Sequence, residues 1–130
     1  MRLNGSTLEQ LDQRARELGM TRTALAERCI EEGLRMDRHP GIVFWQRPAG
    51  REPMIAGTRL SVREVVETFK EFGSSIDQTA EWYGRPRQLL EPALAYYASH
   101  REEIDRLIEE AAAFAEREEE TWRRQRELLR

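Results

Sequence analysis

The sequence predicts a mainly α chain with one short β-hairpin in its middle and a long helix at its end. Three observations predict it: apolar residues recur at three-and-four spacing along most of the chain, β-favouring side chains concentrate around residues 42–56, and residues 100–130 contain neither Gly nor Pro. A chain of 130 residues can hold one modest core or two very small ones, and modules near ~40 residues usually need a partner, a metal or disulfides to hold together. The single cysteine, Cys29, excludes an intramolecular disulfide, and His39 and His100 lie too far apart to read as a zinc pattern, so no metal or cofactor is expected. No apolar run approaches the ~18 residues of a membrane span and no charged-then-apolar leader precedes the first helix, so the expected compartment is the cytoplasm, without a membrane partner.

Charged side chains make up 35% of the residues but net only −3, which excludes a non-specific basic nucleic-acid coat while permitting a local basic face. Residues 1–38 hold seven basic and seven acidic side chains, 39–100 the same, and 101–130 seven basic against ten acidic. The excess negative charge therefore lies in the last segment.

In residues 1–38, Leu8, Leu11, Ala15 and Leu18 trace the stripe of an amphipathic helix that Ser6 or Thr7 is placed to cap. Gly19 then stands where a helix C′ residue is expected, and Thr21 offers a new N-cap before a second stripe of Leu25, Cys29, Ile30 and Leu34. On that stripe Cys29 reads as a buried structural thiol. Ahead of the first helix are Met1, Arg2, Leu3 and Asn4, too few for a strand alone but enough to pair with the same segment of a second copy.

The order of short strand, helix, Gly turn and Thr-capped helix, carried by Arg2-Leu3-Asn4, Leu8, Leu11-Asp12 and Gly19-Met20-Thr21-Arg22-Thr23-Ala24-Leu25, resembles the ribbon-helix-helix family. The resemblance implies an obligate dimer or higher homo-oligomer whose paired strands enter the major groove of operator DNA. It places Arg2 and Asn4 on the base-reading strand. Thr21, Arg22 and Thr23 would then present backbone amides and a cation to a phosphate. Members of the family have several more strand residues ahead of this point, so either the native start lies upstream or base reading is reduced. The alternative for this segment is a helical hairpin that serves dimer packing alone.

In residues 39–99, Ile42-Val43-Phe44-Trp45 reads as a strand, Gln46 to Glu52 as a loop, and Pro53-Met54-Ile55-Ala56 as a short returning strand. Ser61 caps a helix carrying Val62, Val65, Val66, Phe69 and Phe72, which Gly73 stops. Ser75 starts a second helix with Ile76, Ala80 and Tyr83. A third begins with Pro86 in its first turn and carries Leu89, Leu90, Ala93, Leu94 and Tyr97. His39-Pro40-Gly41-Ile42, Gly57-Thr58-Arg59-Leu60 with Val62, and Ala93-Leu94-Ala95-Tyr96-Tyr97 give this segment its resemblance to the bacterial domain-of-unknown-function family 433, a helix-turn-helix-like domain associated with antitoxins. That resemblance implies a partner, commonly a PIN-like ribonuclease toxin, and no catalysis. Gly57 supplies a backbone angle other residues avoid, while Arg59 either ties hairpin to helix or binds a ligand or partner. Arg85, Arg87 and Gln88 stand at the start of the third helix, where a helix-turn-helix touches DNA, although Glu81 and Glu91 weaken the field there.

Residues 100–130 have the Glu, Arg, Ala and Leu composition of a long exposed helix. Ile104, Leu107, Ile108, Phe114, Trp122 and Leu128 form a narrow apolar stripe suited to a toxin's groove, with the alternative of a coiled extension packing on a second subunit. No convergent carboxylates, nucleotide-binding Gly loop or nucleophile elbow is present, so the chain is not expected to be an enzyme. The sequence reads as an antitoxin that neutralises a ribonuclease toxin and represses its own operon. Its rivals are a stand-alone ribbon-helix-helix repressor and a protein-interaction module without DNA binding.

Overall fold

The structure, a computed structural model, describes residues 2–130; Met1 lies outside them. The chain divides into two compact units, residues 1–38 and 39–130. It is mainly helical with a two-stranded antiparallel hairpin in its middle, as the periodicity predicts.

The first unit is two helices, α1 (Gly5–Leu18) and α2 (Arg22–Arg38). Asn4, not Ser6 or Thr7, caps α1: its side-chain oxygen accepts from the Thr7 backbone N–H at 2.8 Å and the Thr7 hydroxyl at 2.9 Å. An Asx side chain at an extended position satisfies one of the amides that a helix start leaves orphaned. Gly19, at φ 66°, closes α1, its N–H reaching the last-turn carbonyls, and Thr21 Oγ1 accepts from the Ala24 N–H at 3.1 Å to open α2. Few residues are buried in this unit. Ala15 and Leu25 are 3% and 2% exposed, whereas Ile30 is 49% and Leu34 60%. Cys29 is exposed, contrary to the expectation of a buried thiol; of the α2 stripe it belongs to, only Leu25 is buried.

The second unit begins with β1 (Ile42–Arg47) and β2 (Gly50–Ile55), paired antiparallel from Ile42 with Ile55 to Arg47 with Gly50. The expected loop at residues 46–52 is therefore mostly strand. Only Pro48 and Ala49 make the turn, and Gly50 takes its φ of 134°. Then follow α3 (Val62–Glu71), α4 (Ile76–Tyr83), α5 (Arg87–Ser99) and α6 (Arg101–Leu128). Ser61 and Ser75 cap α3 and α4 as expected. Pro86 stands at the N-cap of α5, one place before the expected first helical position, where its extended ψ of 144° suits a cap.

Helix α3 is central, touching β2, α4, α5 and α6. Val62, Val65 and Val66 are fully buried with Ile42, Ile55, Leu90, Ala93, Tyr96 and Ile104. This core extends into α6. Ile104 is 0% exposed, Leu107 and Ile108 pack against the same cluster, and no break separates residues 39–99 from the start of the last helix. Polar contacts fix the joint: Tyr96 Oη donates to the Glu103 carboxylate at 3.0 Å, Tyr97 Oη donates to Asp105 at 2.8 Å, and Lys70 lies 3.5 Å from Asp105. From Ala115 onward every residue of α6 is exposed.

Candidate functional site

In the first unit, residues 2–4 are exposed and outside any regular element. Arg2 is open to solvent, but the Asn4 side chain is engaged at the α1 cap. At the other candidate contact, Thr21 holds the α2 cap, Thr23 is exposed, and Arg22 forks onto Asp12 of α1, with Nη2 to Oδ2 at 2.8 Å and Nε on the other oxygen. The hydrogen bond from Arg22 holds the Asp12 carboxyl below its ordinary value, and Asp12 in turn raises that of Arg22. The pair ties α1 to α2 and fixes the guanidinium at the start of α2. Thr21, Arg22 and Thr23 thus lie together at one helix N-terminus, where backbone amides and a cation suit an anion.

In the second unit the turn from β2 into α3 is built by Thr58. Its buried hydroxyl donates to the Ile55 carbonyl at 2.8 Å and accepts from the Leu60 N–H at 3.0 Å, with Gly57 at φ 77° just before it. This arrangement turns Arg59 outward, exposed and outside the hydrogen bonds and ion pairs of the described residues. The tie between hairpin and helix, one of the two roles expected of Arg59, is made by other arginines. Arg63 donates to both oxygens of Glu52 at 2.8 and 3.3 Å, and Arg47 reaches Glu64 at 2.9 Å. Sequence reading missed Glu52, which is 3% exposed. Its place inside a predicted loop hid the alternation that would have turned it inward.

Helices α4 and α5 meet at Gly84, and Tyr83 Oη donates to the Glu64 carbonyl at 3.0 Å, locking α4 against α3. At the start of α5, Arg85 and Gln88 are exposed, but Arg87 is drawn to Asp77 at 3.2 Å and Glu91 at 3.3 Å. Its charge is neutralised locally, which leaves a thin positive footprint for DNA. Trp82, 68% exposed and tilted on Phe72 with ring centroids 6.0 Å apart, is an aromatic that the α4 stripe of Ile76, Ala80 and Tyr83 leaves on the outer side.

Of the six residues of the α6 stripe, Ile104 is sealed in the core and Leu107 and Ile108 pack against it, because the first turns of the helix complete the second unit. The stripe open to a partner is thus shorter than expected. Phe114 is half-buried, while Trp122 is 54% and Leu128 85% exposed. Beside it run two continuous grooves. One of about 750 Å³ lies between α3 and α6, lined by Glu67, Lys70, Glu71, Ala111 and Ala115 among others. A second of about 270 Å³ lies against the hairpin turn and Phe114. Burial holds the Glu67 carboxyl above its ordinary value; Arg63 pulls it down, and Glu64, Glu71 and Glu52 push it up again.

Residues 42–97 match the model of the family described as Protein of unknown function (DUF433). No curated protein and no solved structure matches the chain. The matched segment runs from the start of β1 to near the end of α5, so it contains the hairpin and α3 to α4 whole and most of α5, while α6 supplies Ile104 to its core from outside the match. The N-terminal hairpin also lies outside the DUF433 match. Among the described residues no helix is long and apolar enough to cross a membrane.

Proposed function

We propose that the chain is the antitoxin of a type II toxin–antitoxin pair. On this reading it is a homodimer that binds operator DNA through its N-terminal unit and holds a PIN-like ribonuclease through its second unit. The observation that carries the reading is the incompleteness of the N-terminal hairpin. A unit that buries little beyond Ala15 and Leu25 while leaving Leu18, Ile30, Leu34 and Met36 more than a third exposed is far short of the apolar burial a stable fold of this size needs. A second copy covering that face supplies it, and the same pairing brings two Arg2 strands side by side. With Asn4 committed to its cap, base reading falls to Arg2, and phosphate anchoring to the Thr21-Arg22-Thr23 terminus.

The DUF433 match and the exposed Trp122 and Leu128 of α6 support a protein partner, for which aromatic anchors on a protruding helix are the expected equipment. One observation favours the interaction module without DNA binding: Arg22 and Arg87 are each paired with carboxylates and give up part of their charge.

Binding of the full chain to duplex DNA from upstream of its own gene tests the reading. The account expects the chain to retain that DNA over an unrelated duplex, and Leu34→Asp to abolish that retention by opening the contact between N-terminal units. It also expects Arg2→Ala to cost about 1–3 kcal/mol of specific affinity. Retention of neither duplex by the wild-type chain would favour the interaction module.

A further inference from the structure

Helix α6 carries a second regularity that partner capture does not explain. Ile108, Ala115, Trp122 and Leu129 recur at seven-residue spacing, and Ala111, Glu118 and Gln125 follow three residues after each of the first three. This is the spacing of the seam in a two-stranded coil. Read antiparallel against itself, it pairs large with small: Trp122 faces Ala111, Glu118 faces Ala115, and Gln125 faces Ile108. On one flank Leu128 meets Leu107 and Thr121 meets Phe114; on the other Arg126 meets Asp105.

The charges point the same way. Residues 101–110 carry two arginines and five carboxylates, three net negative charges, whereas residues 123–130 carry four arginines and one carboxylate, three net positive. Antiparallel pairing lays each of these segments on the other, and parallel pairing would stack like on like. The groove that receives the positive end takes its excess acid from Asp105 and Glu109 of α6, while Arg63, Glu67, Lys70 and Glu71 of α3 balance one another beside Ala111, Ala112 and Ala115. Trp122 already carries Arg126 over its ring at 4.7 Å, so ring and cation would enter together.

We propose that residues 105–128 of α6 pair antiparallel with the same segment of a second copy of this chain, Trp122 of each seating on the alanine floor beside α3 of the other. The polar Glu118 and Gln125 in the seam set register at some cost in stability. This contact is separate from the N-terminal one. It uses the same Trp122 as the proposed capture of a toxin, so the toxin gains α6 by displacing the second copy.

Cross-linking tests the pairing on the full chain in a Cys29→Ser background. Ala115→Cys in one tagged copy and Glu118→Cys in an untagged one are co-expressed and mildly oxidised. Both positions are exposed, so folding is not at stake. The expected product is the mixed disulfide, with neither variant linking to itself at comparable yield when expressed alone, and Trp122→Ala in both copies lowering the yield roughly tenfold. Absence of the mixed disulfide, or equal linking of each variant to itself, overturns the proposal. A dimer held only through residues 1–38 still forms in that case, so the antitoxin reading stands or falls separately.

Discussion

The Glu52 carboxylate on β2 is gripped by the Arg63 guanidinium on α3, at 2.8 and 3.3 Å, with the Glu52 side chain only 3% exposed and that of Arg63 15%. Two charges so nearly withdrawn from water are tolerable only together, since removing one leaves the other desolvated and unpaired. Arg47 Nε, 3.8 Å from Glu52, compensates in part. Arg63→Met is therefore expected to lower unfolding stability by about 2–3 kcal/mol in urea titration, against under ~0.5 kcal/mol for Arg123→Ala on the exposed part of α6. Equal effects from the two would mean that the pair does not hold hairpin to helix.

Glu67, on the same helix, has the opposite standing. Burial raises its folded-state value above the ordinary glutamate value, with Arg63 pulling against it and Glu64, Glu71 and Glu52 adding to it. A raised acid is most compatible with the fold when protonated. Its contribution is intact below the unfolded value and is lost as pH rises through the folded one. Glu67→Gln should therefore raise the Tm at pH 7, with the advantage fading as pH falls below the ordinary glutamate range. A lower Tm at pH 7, or a pH-independent difference, would contradict the assignment.

Arg22 is held by Asp12 at the start of α2, and the proposed phosphate contact there makes the two residues act in opposite senses. Asp12→Asn loosens the guanidinium and removes a negative charge beside it, so DNA affinity at low salt should rise. Arg22→Ala should weaken binding to all sequences alike and reduce the slope of log K against log salt by about one. If neither substitution changes the salt dependence, this helix start is not a phosphate contact.

Asn4 separates a cap from a base contact. Asn4→Ala should cost about 1 kcal/mol of stability through the lost bond to the Thr7 N–H, and Asn4→Ser should recover most of it. With stability restored by Ser, operator preference should be unchanged. A shift in sequence preference in the Ser variant would return Asn4 to the reading face.

Helix boundaries were legible at Thr21, Ser61 and Ser75, which cap starts, and at Gly19 and Gly73, which follow ends. The apolar stripe of α3 likewise predicts its buried face, because Val62, Val65 and Val66 have neighbours on every side within the chain. Three features were illegible for physical reasons. The hairpin arms reach Arg47 and Gly50 through Gln46, Arg51 and Glu52, polar residues whose strand character comes from pairing and from ion pairs with α3 rather than from propensity. Ile104 looks like any other member of the α6 stripe, and only tertiary packing distinguishes the buried first turns from the open ones. Cys29 follows helical periodicity onto an apolar face, but periodicity says which face is apolar and not whether the same chain covers it.

The antitoxin claim is tested most directly by growth. A nuclease-like protein encoded beside this chain is induced alone, together with this chain, and together with a form truncated after Ile108. The account predicts growth arrest by the neighbour alone, full rescue by the whole chain with a complex that co-purifies, and lost or weakened rescue by the truncated form. A neighbour that is harmless, or a toxic one that this chain neither binds nor restrains, would contradict it and leave a dimeric regulator acting without a toxin.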